Sequence, residues 1–305
     1  MIVADLAPPA LEGLLRQGSL RLRTGPLVVG IESPLREIRD GIALNYAQHA
    51  LEPSDGFADF HVCVDRPRGL YRWLDKQVRF RFDGIVPFAP LPGDQGFTAL
   101  ESGLNWCIAT HCHQYLILHA AALERGGRAL LLPAPSGAGK STLCAGLAFG
   151  GGWRLLSDDL ALIDPANGQV LPLPRPLRLL NESIDAMRAF APLVAFGERV
   201  RETTLGEVSY ARPPADAVLR ADEQALPAWL VIPRFTAGAA AQLQPLSRAR
   251  AFMALVENSF NYNVHGRAGF AALADVIDRS ACYELTYSNL LDASAALEKL
   301  ASTTP

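Results

Sequence analysis

Residues 128–164 read RALLLPAPSGAGKSTLCAGLAFGGGWRLLSDDLALID. The stretch opens on an apolar run, Ala129 to Leu132, of the length of a buried strand. A turn follows, Ala134-Pro135-Ser136-Gly137-Ala138-Gly139-Lys140-Ser141-Thr142. It matches the phosphate-binding loop pattern except at the first glycine, where Ala134 stands and leaves little side chain near a ligand. Gly137 and Gly139 permit the backbone angles that aim successive N–H groups at anionic oxygens. A helix opening near Lys140 adds its positive end, Lys140 reaches outer phosphates, and the Ser141 hydroxyl is a Mg²⁺ ligand. Pro135 to Thr142 is therefore the expected nucleotide site. The strand before and the helix after separate it from an incidental Gly-rich connector.

The acidic pair sharpens this reading. From Lys140 to Asp158 is 158 − 140 = 18 positions. Ser141 to Phe149 rises roughly 14 Å as a helix, and Trp153 to Ser157 returns roughly 16 Å as a strand. One right-handed strand–helix–strand unit thus brings Asp158 and Asp159 back level with the phosphate turn. One carboxylate suits Mg²⁺ and the other suits a proton leaving an attacking hydroxyl. The plainer alternative is an Asp-Asp turn that ends a strand.

Upstream, QYLILHAAA (residues 114–122) reads as a strand, and Glu124-Arg125-Gly126-Gly127-Arg128 as a hairpin turn. With Gly126-Gly127 as a two-residue loop, Arg125 faces Arg128 and His119 faces Ala134, where the phosphate turn begins. A register error of one residue would turn His119 to the other face, as a core histidine.

A strand His, a phosphate loop and an Asp pair in this order resemble the HPr kinase/phosphorylase family, a bacterial serine-kinase fold related to phosphoenolpyruvate carboxykinase. The nearer resemblance is to its HPr kinase-related kinase A branch, carried by LNWCIA, YLILHAA, GKSTLCAGL, WRLLSDDLALI, NESI, PRF and ENSFNY. The resemblance implies that Asp158 is the general base, that Asp159 binds Mg²⁺ with Ser141, and that His119 lies by the transferred phosphate. It also implies a place near the phosphates for Arg250, which keeps the family's spacing to Glu257. The family's Glu after the loop serine is replaced by Thr142, and its Arg-Gly-rich phosphorylase signature is missing, which puts a reverse activity in doubt. The family assembles as hexamers, which admits a homo-oligomer here and leaves the oligomeric state open.

Composition sets the outer bounds. The chain has 305 residues, half of them hydrophobic, enough for one large core or two modest ones. A net charge of −3 makes no electrostatic case for nucleic acid or an anionic membrane. Five scattered cysteines (63, 107, 112, 144, 282) suit reduced thiols, and hence a cytoplasmic setting, better than a disulfide framework. No apolar run approaches the ~18–20 residues of a membrane span, and Met1 to Leu20 lacks the pattern of a signal peptide. The cluster Cys107, His111, Cys112 and His113 reads as helix packing rather than a metal site.

Residues 1–95 are expected to form an α+β domain. Its strands alternate at Leu20/Leu22, Phe60/Val62/Val64 and Val78/Phe80/Phe82, and its helix is started by Ser33-Pro34. Its arginine-bearing sheet face is a solvated face or a dock for a protein substrate. Pro87 to Gly96 is the expected linker, and residues 96–305 the α/β, mixed-sheet P-loop kinase domain. Ala195 to Arg220 reads as a polar, solvated loop, with a substrate loop whose arginines 199, 201 and 212 reach phosphates as the alternative, and Trp229 to Ile232 as a strand stopped by Pro233. The expected activity is transfer of the γ-phosphate of ATP, with Mg²⁺, to a hydroxyl of a protein or peptide. The alternatives are a small-molecule phosphotransferase and a non-catalytic nucleotide-sensing module.

Overall fold

The computed structural model describes residues 1–67, 76–135, 137–202 and 206–303. In chain order the first elements are α1 (Pro8–Arg16), β1 (Leu20–Thr24), β2 (Leu27–Glu32), α2 (Arg36–Asn45), β3 (Phe60–Asp65), β4 (Gln77–Phe82), β5 (Leu91–Pro92) and α3 (Gly96–His111). Next come β6 (Leu116–Arg125), β7 (Arg128–Pro133), α4 (Lys140–Gly150), β8 (Arg154–Ser157), β9 (Leu160–Ile163), β10 (Val170–Leu171), β11 (Leu177–Leu180), α5 (Glu182–Phe190), β12 (Val200–Glu202), β13 (Gly206–Ala211) and α6 (Ala215–Leu219). The chain closes with β14 (Leu226–Phe235), β15 (Gln242–Pro245), α7 (Arg248–Glu257), α8 (Tyr262–His265), α9 (Arg267–Arg279), β16 (Ala281–Tyr287) and α10 (Leu290–Thr303).

Among the described residues these strands make a mixed α/β architecture with three sheets. Strands β1 to β5 lie in sequence order, antiparallel except for the parallel pair β2–β3. The large sheet runs β10-β9-β6-β7-β14-β16-β15, with β8 also on β6. Its centre is mixed, because β6 is antiparallel to β7, whereas β7, β14 and β16 are parallel. A small antiparallel sheet, β11-β13-β12, stands apart.

Alternation along the central strands builds two cores. Ala121, Leu123, Leu130, Leu132, Trp229 and Val231 point to one face, where α4 and α10 cover them with Leu143, Leu147 and Leu297. Leu118, Ala120, Ala122, Leu131 and Leu230 point to the other, under Leu255 of α7 and Leu273 and Val276 of α9. A third core fills the first sheet and continues through Leu100, Leu104 and Ile108 of α3 into Leu160 and Leu162 of β9. Helix α3 therefore packs on strands from both sides of the expected linker.

Several expectations change in detail. Gly126 and Gly127, at φ +61° and +79°, make the two-residue turn, and Arg125 pairs with Arg128 as the spacing predicts. Ser33 does not cap α2. The helix begins two residues after Pro34, and the Ser33 hydroxyl donates to Val64 O instead. β14 runs through Pro233 to Phe235, because β7 has ended by then and no ladder bond on that side needs the missing N–H. Residues 195–220 are not one polar loop: Val208 to Ala211 are buried in β13, and α6 follows. Of the arginines there, Arg199 pairs with Asp185 and Glu207, and Arg212 donates to Leu44 O, so neither is held toward the phosphate turn. On the first sheet Arg79 and Arg81 share Asp65 and Arg23 pairs with Glu52, so two carboxylates offset part of the arginine-bearing face.

Candidate functional site

The Gly-rich turn leaves the carboxyl end of β7 and enters α4. Gly137 and Gly139 adopt φ +85° and +88°, so both occupy the left-handed region that the motif needs. Gly139 also has no room for a side chain: a Cβ there would stand 2.5 Å from the Tyr287 hydroxyl. That hydroxyl donates to Gly139 O at 3.0 Å, and Phe235 N donates to Ala138 O at 3.2 Å. The ends of β16 and β14 thus hold the turn from one flank. Ser136 lies outside the described residues. Pro135, Gly137, Ala138, Gly139, Lys140, Ser141 and Thr142 form the turn and the first turn of α4.

The Asp pair sits on the other flank, in a setting that differs from the end of a strand. β8 and β9 run as one line along β6, from Glu124↔Arg154 at one end to Leu116↔Ile163 at the other. Asp158 and Asp159 interrupt that line without changing its register; the register shift lies just before them, between the pairs Leu123↔Leu155 and Ala122↔Ser157. Freed from ladder pairing, the two carboxylates turn toward the start of α4.

Four side chains converge there. Lys140 Nζ donates to Asp159 Oδ1 at 2.8 Å, and His119 Nε2 lies 3.1 Å from the same oxygen. Asn105 of α3 donates to Asp159 Oδ2 at 3.1 Å. Burial opposes charge on Asp159, but the bonds from His119 and Lys140 and the lysine charge outweigh it and hold this carboxyl far below the usual carboxylate range. Asp158 differs. Its Oδ2 accepts from the backbone N–H of Arg178 at 3.2 Å, and its Oδ1 is buried without a hydrogen-bond partner. Burial pushes its pKa up to about 6, with the Asp159 charge adding to the rise; Lys140, the Arg178 amide and the Ser141 hydroxyl oppose it.

Arg175, from the Pro-rich connection, had no place in the sequence reading. Its guanidinium donates to Glu101 Oε2 at 2.7 Å and to Asn105 Oδ1, and Tyr46 donates to Glu101 Oε1 at 2.6 Å. A polar chain therefore runs from Tyr46 through Glu101, Arg175 and Asn105 to Asp159. Beside the pair opens a small cleft lined by Asn105, Asp158, Asp159, Arg175, Arg178 and Tyr210 among others.

His119 is buttressed from behind. Its N–H donates to Asn258 O at 2.6 Å, and the Phe260 ring lies 5.9 Å from the imidazole. Asn261 is buried and bonds both Ile117 N and Tyr115 O. The polar cluster after α7 thus extends along β6 where β7 no longer does. Arg250 lies apart from the four: its guanidinium is exposed and 3.7 Å from Glu284.

Fold and site together define a mixed α/β protein in which a glycine-rich strand-to-helix turn faces a carboxylate pair. Residues 103–191 match the family described as SynChlorMet cassette protein ScmC. That stretch is 191 − 103 + 1 = 89 residues, under a third of the chain, yet it holds Asn105, His119, the whole turn, both aspartates and Arg175. Among solved structures, the Hpr(Ser) kinase/phosphatase from Coxiella burnetii is similar at 13% identity and a TM-score of 0.27, over 61% of this chain and 93% of that one. A likeness this loose transfers no residue role. No curated protein matches the chain.

Proposed function

We propose that the protein is an ATP- and Mg²⁺-dependent kinase that phosphorylates a hydroxyl group, with Ser or Thr of a protein or peptide as the acceptor. The observation that carries this reading is the convergence of Lys140, His119 and Asn105 on Asp159, beside a buried Asp158 oxygen that has no partner, at the start of α4. Structural ion pairs explain a charged Asp159; they do not explain a buried carboxylate next to it with one oxygen left unpaired.

In this reading the amides of residues 135–142 and Lys140 hold the phosphates. Asp158 accepts the proton as the acceptor oxygen bonds to the γ-phosphorus, the bond to the β-phosphate oxygen breaks, and ADP leaves. A carboxylate with a pKa near 6 is charged at neutral pH yet basic enough for that role. His119 and Asn105 orient Asp159. The oxygen donors Ser141 and Asp159 fit a hard divalent cation, which would supply charge neutralisation at the phosphates. Among the described residues no group of three or more His, Cys, Asp or Glu could hold a metal. That suits Mg²⁺, which takes one or two carboxylates and completes its shell with water and phosphate. Because the transition state of phosphoryl transfer is loose, positioning and charge carry most of the rate. A place for Arg250 by the phosphates rests on the family resemblance alone, and an unchanged rate in Arg250→Ala would remove it.

The test is transfer of ³²P from γ-labelled ATP in a lysate of the source cell, wild type beside Asp158→Asn. A labelled protein band present only with wild type is the expected result. Label on a small metabolite moves the acceptor to that class. Calorimetric ATP binding without any label from wild type would overturn the kinase reading in favour of a nucleotide sensor.

A further inference from the structure

The turn has two flanks, and the reading above uses only one. The sheet order β9-β6-β7-β14-β16 puts the Asp pair on the β6 side of the turn and the ends of β14 and β16 on the other. Strands β7, β14 and β16 are parallel, so their carboxyl ends share one rim, the place where open α/β sheets bind ligands. A phosphate chain lying in the turn with its reacting end at Asp158 must leave its nucleoside toward β14 and β16.

Phe235 stands at that point. It is the last residue of β14, and the residue is 53% exposed although its backbone N–H is bonded into the turn. A Cβ on Gly139 would lie 3.1 Å from the Phe235 Cβ, so the ring begins directly beside the phosphate site. Its orientation is set by Tyr287, which is buried, donates to Gly139 O and meets Phe235 edge to face at 5.8 Å and 81°. The segment after Phe235 is pinned as well: Thr236 N donates to Tyr287 O at 2.8 Å and Ser288 Oγ to Ala239 O at 2.7 Å. A large apolar ring held against Tyr287 on one side, with its own backbone N–H bonded to the phosphate turn, leaves about half of the residue open to water beside that turn.

We infer that the Phe235 ring is the platform on which the base of a bound nucleoside triphosphate stacks, with Tyr287 as the positioning residue that couples platform and turn. The inference rests on the nucleotide reading above. Stacking tolerates any base, since every base has a π-face, and purines offer the larger overlap.

Calorimetry with two probes separates the parts: ATP, and inorganic tripolyphosphate, which has the phosphates without the base, each with Mg²⁺. Wild type should bind ATP more tightly than tripolyphosphate. Phe235→Leu, which keeps apolar contact with Tyr287, should weaken ATP by roughly 5- to 100-fold and leave tripolyphosphate unchanged, and Phe235→Trp should restore ATP. In the Phe235→Trp protein, ATP should also quench the tryptophan fluorescence, and tripolyphosphate should not. Equal ATP affinity in wild type and Phe235→Leu would overturn the platform while leaving the phosphate site standing. A wild type that binds neither probe would overturn both.

Discussion

Asp158 and Asp159 are neighbours in sequence with opposite electrostatics, and the difference lies in what reaches each oxygen. Asp159 is met by Lys140, His119 and Asn105 and stays charged; Asp158 is buried and titrates near 6. If Asp158 is the base, kcat/KM should rise with pH along an acidic limb with an apparent pKa of about 6, and Asp158→Asn should lose at least ~100-fold in turnover while binding ATP nearly as well. Stability follows with the opposite sense. Between its ordinary pKa of 3.8 and about 6 the folded Asp158 holds more proton than the unfolded one, so its contribution is full below 3.8 and is lost as pH rises toward 6. Urea denaturation of wild type and Asp158→Asn across that window checks it: the variant's stability should fall less over the interval. Lys140, Ser141 and the two aspartates were readable because 18 positions and two short elements bring them together. Asn105 was not, since it reaches Asp159 from 54 positions away, and Arg175 was not, since its partners Asn105 and Glu101 lie 70 and 74 positions before it, brought together by packing that no local pattern encodes.

At the scale of elements, β6 carries the site, and three supports fix it. The hairpin sets its register with β7, the broken line of β8 and β9 sets its other edge, and residues 258–261 take the place that β7 vacates. Asn261 bonds the backbone of Ile117 in β6 and of Tyr115 just before it, so Asn261→Ala should cost about 1–3 kcal/mol in urea denaturation and lower turnover through His119. Near the hairpin, Arg154 pairs with buried Glu124 and donates to the carbonyls of residues 220 and 223. Arg154→Met leaves Glu124 with only the Gly127 amide and Arg220 at 3.7 Å and should cost about 3 kcal/mol, the low end for a broken buried pair. The hairpin was legible because Gly-Gly between alternating apolar runs has one ready geometry. The break at the Asp pair was not, because LALI after it reads equally well as the next strand or the same one.

Across the whole molecule, the expected linker does not separate two cores. Leu100, Leu104, Cys107 and Ile108 of α3 are fully buried in one cluster with Val62, Phe80 and Leu22 of the first sheet and with Leu160 of β9. The polar chain from Tyr46 to Asp159 crosses the same boundary. We predict that residues 96–305 alone will lack the cooperative unfolding transition of the full chain, having lost the surface that buries four large α3 side chains at roughly 1.5–3 kcal/mol each. A fragment with a sharp thermal transition by circular dichroism would instead establish two independent domains. Among the described residues no helix is long and apolar enough to cross a membrane. What the sequence determined by itself is local: the strand, Gly-rich turn and helix, the hairpin beside them and the alternation that gives the large sheet two faces. Those follow from backbone angles and side-chain periodicity within about 30 residues. Tertiary structure alone decided which oxygen of the Asp pair is satisfied, that Arg175 and Asn105 stand behind it, and that Phe235 flanks the turn. Charge state and orientation depend on burial and on partners brought in from distant parts of the chain, and neither is a property of any one segment.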